Sequence, residues 1–135
     1  MRILDYEIPD NLHYSKEHEW VQLEGIEATI GITDYAQKQL HEIVYVEIQK
    51  EGTEIKQFQT MGTVESVKSV SDIFSPVTGK ITKTNQELAD SPEKLNEDPY
   101  GKGWLAKINL TDFKKDQEKL LTPTQYADYI KTMET

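Results

Sequence analysis

Apolar and polar residues alternate along several short segments of the chain, most clearly in the segment IEATIGI. Every second position there is apolar, and these positions are Ile26, Ala28, Ile30 and Ile32. A period of two predicts a strand with one buried face. Because Glu24–Gly25 is a turn signal directly before this segment, residues 19–32 are predicted to form a hairpin.

Further segments carry strand signals. They are residues 43–48 (IVYVEI), one or two short strands between 51 and 66, then 70–76, 80–84 and 104–110. In the last of these, WLAKINL, one predicted face comprises Trp104, Ala106, Ile108 and Leu110. Turns are expected at Glu51–Gly52 and between Pro76 and Gly79.

Helix signals are fewer and are concentrated near the edges of the pattern. Residues 34–41 are predicted to form a short helix with Thr33 as its N-cap. The polar stretch 85–103 is predicted to be a loop with one helical turn after Ser91–Pro92. A second helix is expected near the C-terminus, where Thr122 and Gln125 form a capping box around Pro123. Its apolar stripe is expected to pack on the sheet and comprises Tyr126, Tyr129, Ile130 and Met133.

Many short strands, frequent turns and a few short helices predict a mainly β fold, a small β sandwich or flattened barrel. The 135 residues contain 36% hydrophobic residues, which suffices for one modest core. No linker composition divides the chain, so residues 1–135 are expected to form a single domain.

The charge balance excludes some partners. The net charge is −9, from 24 acidic and 15 basic residues. Binding to nucleic acid or to an anionic membrane surface needs a basic surplus, so the charge argues against both and favours docking to basic patches on proteins. The alternative is that the acidic residues only keep the protein in solution. The first residues lack an apolar leader core, so we expect a cytoplasmic protein, or a mitochondrial one only if this is a processed mature chain.

The chain contains few of the sequence motifs that are typical of enzymes. It contains no cysteine, no glycine-rich phosphate loop and no nucleophile-elbow pattern. Its three histidines are His13, His18 and His41, whose spacing does not match a metal-binding motif, so no metal site is expected. The residues alone therefore give little indication of an enzyme.

One lysine is unusually placed. In VESVKSVSD, residues 64–72, a two-residue turn at Val67–Lys68 would pair Ser66 with Ser69 and Glu65 with Val70. Lys68 would then stand at the tip of a hairpin with only small or β-branched neighbours, where an acylating enzyme could reach it. The alternative is an ordinary solvated lysine, which the periodicity alone does not exclude.

Several motifs follow one another along the chain. They are YSKEHEW (14–20), ATIGITDYAQKQL (28–40), IVYVE (43–47), VESVKSVSDIFSPVTGKI (64–81), LNEDPYGKGW (95–104) and LLTPTQYADYI (120–130). In this order they resemble the motifs of the glycine cleavage system H protein family. The lysine motif alone is similar to any lipoyl domain, whereas HEW, GITDYAQ and NEDPYG together are specific to this family. The resemblance covers roughly residues 12–133.

The resemblance implies a lipoyl/biotinyl-type flattened sandwich, or barrel-sandwich hybrid, of two small antiparallel sheets with peripheral helices. It implies lipoate joined to Lys68 as an amide, which carries the aminomethyl group of glycine between partner enzymes. Those partners would be a pyridoxal-phosphate glycine decarboxylase, a tetrahydrofolate-dependent aminomethyltransferase and a flavin dihydrolipoamide dehydrogenase. A lipoate ligase or a lipoyl or octanoyl transferase would attach the arm.

The resemblance also implies roles for single residues. Glu19 and Asp72 would be polar partners of the loaded arm in a cleft beside the hairpin, although both could instead be ordinary surface acids. Glu65 would help the lipoylating enzyme to recognise the hairpin, in which Val67 and Ser69 flank Lys68.

The sequence departs from the family pattern at several positions. His41 and Phe58 lie where most members have glycine, Gln49–Lys50 lie where a proline is usual, and Glu17 replaces a small hydroxyl residue that lines the arm cleft. These departures leave a second reading open, an H-like protein that relays lipoate to other enzymes or serves sulfur metabolism. A third is an unmodified acidic interaction module.

Overall fold

The structure is a computed structural model that describes residues 1–134. The strands are β1 Arg2–Ile3, β2 Tyr6–Glu7, β3 His13–Tyr14, β4 Glu19–Glu24, β5 Glu27–Ile32, β6 Ile43–Ile48, β7 Glu54–Ile55, β8 Thr60–Ser66, β9 Val70–Phe74, β10 Gly79–Thr84 and β11 Ala106–Leu110. The helices are α1 Asp34–Leu40, α2 Glu87–Asp90, α3 Lys94–Glu97, α4 Phe113–Asp116 and α5 Pro123–Glu134, with a 3₁₀ turn at Gln117–Lys119. No helix in this described range is long and apolar enough to cross a membrane.

The strands form three antiparallel sheets. One has six strands in the order β3-β4-β5-β11-β10-β7, and a second has three in the order β6-β8-β9. Strands β1 and β2 pair with each other as a separate ribbon. The predicted mainly β class is therefore confirmed. The ribbon adds a third sheet to the expected two, and Tyr6 of the ribbon packs edge-on against Tyr35 of α1.

The predicted 19–32 hairpin is present as β4 and β5, but one detail was wrong. The turn lies at Gly25–Ile26, one residue later than predicted, and Ile26 is 76% exposed. The other face of β5 is not polar surface either, since Thr29 is buried and a side chain at Gly31 would collide with the Trp20 indole. Strand β5 is therefore covered on both faces.

Two apolar clusters explain this double coverage. The larger lies between the six- and three-stranded sheets and includes Val21, Ile30, Val64 and Ile73. The second, largely aromatic, cluster covers the opposite side of β4 and β5 and joins the N-terminal residues to α5. Within it the rings of Tyr14 and Tyr126 stack with centroids 4.6 Å apart.

The C-terminal helix forms as its capping box predicts. The Thr122 N–H donates to Gln125 Oε1 (3.0 Å), and the Gln125 N–H donates to Thr122 Oγ1 (3.2 Å). The predicted packing stripe is only partly right. Tyr126 and Ile130 are buried, but Met133 is 46% exposed, because the helix runs past the second cluster at its end.

The segment before β11 contains more helix than predicted. The helical turn expected after Ser91–Pro92 is present as α3, and a second short helix, α2, precedes it. The Asn85 side chain donates to the carbonyls of Lys102 and Trp104 and so closes this segment on itself. Trp104 precedes β11 and joins the second cluster, whereas Ala106 and Ile108 belong to the first, so the prediction that all three share one face of the strand was wrong.

Both family glycine positions that differ here have left-handed backbone conformations. Phe58 has φ 68°, and His41, the C-cap of α1, has φ 67° and ψ −148°. Side chains with a Cβ are strained in this region, so glycine is the natural residue at both places. The chain tolerates His41 because its N–H donates to Gln37 O (3.0 Å) and its carbonyl accepts from Asn96 Nδ2 (2.8 Å).

We therefore expect His41→Gly to stabilise the protein by about 1 kcal/mol, the released strain less the entropy cost of glycine. Chemical denaturation measures the change. His41→Ala is the matched control, because it removes the imidazole and keeps the Cβ. Equal stabilities of the two variants would show that no strain is stored at this residue.

Candidate functional site

Lys68 lies at the tip of the β8–β9 hairpin, as predicted. The Ser66 N–H donates to Ser69 O (2.8 Å), and Glu65 pairs with Val70 in the sheet register. The Val67 N–H donates to Glu42 O (3.0 Å), which attaches the tip to the residue before β6. The tip is therefore held by its own hairpin and by the neighbouring strand.

The Ser66 hydroxyl fixes the turn, a role that was not predicted from the sequence. Its Oγ accepts from the Lys68 and Ser69 N–H groups, both at 3.2 Å, and lies 3.3 Å from Ser69 O, to which it donates. A serine that bonds the backbone two and three residues ahead is a common turn motif, so its place before Val67–Lys68 was the available signal. The tip is thus stabilised without any bulky side chain.

The Lys68 side chain is free to carry a modification. The residue is exposed, and within residues 1–134 its ammonium has no hydrogen bond or ion pair. Its neighbour Val67 is also exposed. An enzyme can therefore approach the amine without first breaking contacts made by the lysine.

A cleft of about 390 Å³ opens beside the base of this hairpin. Helix α1 forms one wall and strand β9 the other, with Glu19 and Asp72 both in the lining. The sequence-predicted pair is thus brought to one cleft. Its apolar lining includes Ile32, Leu40 and Val64.

The two carboxyl groups differ in environment. Asp72 is exposed at the rim, whereas Glu19 is only 2% exposed, so the alternative that Glu19 is a surface acid was wrong. Ser15 Oγ donates to Glu19 Oε1 (2.5 Å), and the Phe74 N–H donates to Glu19 Oε2 (3.2 Å). Glu19 therefore connects β4 in the large sheet to the end of β9 in the small one.

Burial raises the pKa of the Glu19 carboxyl to about 8, and the nearby negative charge of Glu17 acts in the same direction. The hydrogen bonds from Ser15 and Phe74 oppose this rise but do not cancel it. Glu19 is thus mostly protonated at neutral pH while the cleft holds no cation.

His18 forms another part of the cleft wall and is bound to the C-terminal helix. Its Nδ1 is 2.9 Å from Tyr126 Oη, which in turn is 2.7 Å from Thr33 Oγ1. The imidazole also lies against the ring of Tyr35. Burial lowers the pKa of His18 to about 4, so this wall adds no positive charge at neutral pH.

A larger cleft of about 610 Å³ lies on the other side of Phe74. Phe58 lines it together with Phe74, Leu120 and Leu121 and is 37% exposed. Glu17 lines both clefts and is exposed between them. The smaller cleft is the one that contains Glu19, Asp72 and strand β9, and it is the candidate functional site.

Comparison with known proteins identifies the family. The family model described as glycine cleavage H-protein matches residues 12–133. The chain belongs to the glycine cleavage H-protein family. It is 48% identical over 121 residues to the glycine cleavage system H protein of Rubrobacter xylanophilus, which covers 90% of this chain and 93% of that one.

Two further H proteins support the assignment. The one from Staphylococcus saprophyticus is 50% identical over 123 residues, 91% of this chain and 97% of its own. The crystal structure of the glycine cleavage system H protein from Mycobacterium marinum superimposes with a TM-score of 0.82 at 33% identity, over 90% of this chain and 97% of that one. Proteins of the glycine cleavage H-protein family are non-catalytic lipoyl carriers of the glycine cleavage system, which implies partnership with the other components of that system.

The buried Glu19 gives this H-family chain a testable pH dependence. Its pKa is raised from the ordinary 4.5 to about 8, so the folded protein keeps a proton that the unfolded chain has lost. The raised pKa of Glu19 therefore makes a contribution to the free energy of unfolding that is complete below pH 4.5 and is lost as the pH rises towards 8.

Glu19→Gln stays neutral and can still bond Ser15 and Phe74. We expect its free energy of unfolding, relative to the unsubstituted protein, to increase steadily between pH 4.5 and 8. Urea unfolding across this range measures it, with the exposed Glu24→Gln on the same strand as control. Parallel pH profiles for the Glu19→Gln variant and the unsubstituted protein would contradict the assignment.

Proposed function

We propose that this protein is a lipoyl carrier whose arm is attached to Lys68 and which shuttles the aminomethyl group of glycine within the glycine cleavage system. The observation that carries the proposal is the exposed Lys68 on a fixed hairpin tip next to a cleft that contains a buried carboxyl group. The chain would act as one lipoyl-type domain over residues 1–135.

Lipoate fits the residues near Lys68. Asp72 is four positions from Lys68, so their Cα atoms are at most about 14 Å apart. A lysine side chain lengthened by lipoate spans a comparable distance, and the cleft lining combines apolar walls with carboxyl groups at the floor and rim. When bound, lipoate would supply the dithiolane sulfur that accepts and releases the aminomethyl group.

The residues of this chain would position and protect that group. The apolar walls formed by Ile32, Leu40 and Val64 would exclude water from it. Asp72 would offer its side-chain oxygens to a cationic amine at the rim. A cation at the floor would favour the ionised form of Glu19, whose Ser15 and Phe74 bonds already hold its two oxygens in place.

The partners follow from the same proposal. A pyridoxal-phosphate glycine decarboxylase, a tetrahydrofolate-dependent aminomethyltransferase and a dihydrolipoamide dehydrogenase would each receive the arm, and a tethered arm gives each a high effective concentration of its substrate. A lipoate ligase or a lipoyl or octanoyl transferase would attach it, with Glu65, Val67 and Ser69 as recognition residues. The bacterial sources of the H proteins compared above fit a role in the cytoplasm.

One observation favours a second candidate function. Glu17 adds a carboxyl group to the cleft at a position where the family usually has a small hydroxyl residue. With this extra carboxyl group, the cleft would suit an arm that carries a group other than aminomethyl. Such an arm would belong to an H-like protein that relays lipoate to other enzymes or carries sulfur intermediates.

The first test of the proposal is the mass of the protein as expressed with a lipoylating enzyme. We expect a lipoyl or octanoyl adduct that Lys68→Arg abolishes and the control Lys80→Arg, at an exposed lysine of β10, retains. An unmodified chain, or an adduct that persists in Lys68→Arg, would contradict the proposed site.

Glycine-dependent exchange of carbon dioxide with a glycine decarboxylase separates the two functions. We expect exchange with the fully lipoylated protein. No exchange with a fully lipoylated protein would favour the lipoate relay or the carrier in sulfur metabolism.

A further inference from the structure

The three-stranded sheet has an exposed apolar row next to Lys68. In the register of the sheet, Tyr45 of β6 pairs with Glu65 of β8, and Glu65 pairs with Val70 of β9. Directly paired residues of antiparallel strands project from the same face. The side chains of Tyr45, Glu65 and Val70 therefore form one row across three strands, one step below the hairpin tip.

This row faces away from the core. Tyr45 is 50% exposed and Val70 65%, while Val67 at the tip is 63% exposed. The adjacent row consists of Val46, Val64 and Ser71, which pair with one another across the three strands and project from the opposite face of the sheet. On that face Val64 is buried. Exposed aromatic and β-branched side chains grouped in this way are typical of an interaction surface.

The outer face also carries negative charge. Glu65 lies within the row, and the next row on the same face contains Glu47 and Asp72 on either side of Thr63. Tyr45 Oη donates to Glu47 Oε2 (3.4 Å), so the phenol ring and this carboxylate are adjacent on the outer face. A partner that covers this face therefore needs an apolar groove flanked by basic side chains.

The candidate arm cleft opens on the other face of the sheet. Its lining includes Val64 and Ser71, which belong to the inner face, and Asp72 at the edge. A protein bound over Tyr45 and Val70 would thus leave the cleft open.

We propose that the Tyr45–Glu65–Val70 row is the docking surface for the enzyme that acylates Lys68, a partner with an apolar groove and a basic rim. The inference rests on the proposed attachment of lipoate to Lys68. It extends recognition from the hairpin to the neighbouring strand β6, so that the enzyme reads the folded sheet and not a linear sequence.

The chemistry of attachment favours this partner over enzymes that use the finished arm. The deprotonated Lys68 Nζ attacks the carbonyl carbon of an acyl nucleotide anhydride or a thioester. The new N–C bond forms, the C–O or C–S bond breaks with its electrons on the leaving nucleotide or thiol, and one amine proton passes to a base. The active site must come within one lysine side chain of the tip, so its surface meets the row, whereas enzymes that use the arm act at its distal end.

The test is the rate at which a lipoate ligase, with ATP, magnesium and octanoate, acylates the unmodified protein at increasing protein concentration. We expect Tyr45→Ala to lower kcat/KM about ten-fold, mainly through KM, because an exposed aromatic anchor of an interface is lost. Tyr45→Phe should stay close to the unsubstituted protein. Ile26→Ala is the control, an exposed apolar residue in the β4–β5 turn.

Substitution of Val70 by a basic or an acidic residue tests independently whether the partner is basic. Val70→Lys should slow acylation more than Val70→Glu, because the partner is basic. Thermal unfolding of each variant shows whether it is folded. Rates for Tyr45→Ala and Val70→Lys equal to that of the Ile26→Ala control, or a stronger effect of Val70→Glu than of Val70→Lys, would overturn the inference.

Two outcomes separate this inference from the proposed function. If the unsubstituted protein is not acylated at Lys68, the proposed attachment itself fails. If it is acylated and the row variants are acylated normally but lose glycine-dependent carbon dioxide exchange after full lipoylation, the row serves a user of the arm and the present inference is wrong. Normal exchange by fully lipoylated Tyr45→Ala, together with slow acylation, is the expected result.

Discussion

The hydrogen bond between Glu19 and the Phe74 N–H connects the two parts of the molecule that the proposed function needs. Glu19 belongs to the six-stranded sheet and Phe74 ends the edge strand that carries the lysine hairpin. An unpaired carboxyl group buried at this depth would cost several kcal/mol, so its contacts with Ser15 and Phe74 are strongly specified. This contact fixes where β9 ends relative to β4 and therefore sets the width of the cleft between β9 and α1.

The rest of the site follows from that fixed edge strand. Because the base of the hairpin is held by Glu19, the tip can be held by small groups alone, the Ser66 hydroxyl and the Val67–Glu42 backbone bond. Lys68 then needs no contacts of its own. The inner side of the hairpin borders a sheltered cleft and its outer side presents an exposed row, which gives one short hairpin two separate surfaces.

Local sequence signals were sufficient for elements whose bonds close within a few residues. The Thr122–Gln125 box, the Thr33 cap and the Lys68 turn all belong to this group, and each was predicted from the residues themselves. The burial of Glu19 could not be predicted in the same way, because one of its partners is 55 residues away. The exposure of Ile26 and Met133 depends on where each covering element ends, which no short pattern contains.

The most direct measurement of the central claim is the NMR spectrum of the lipoylated protein before and after the arm is loaded with the aminomethyl group. We expect chemical shift changes at the backbone and side chains of Ile32, Val64, Asp72 and Phe74, and a change in the titration of Glu19. Shift changes confined to the tip residues 66–69, with the cleft signals unchanged, would contradict it.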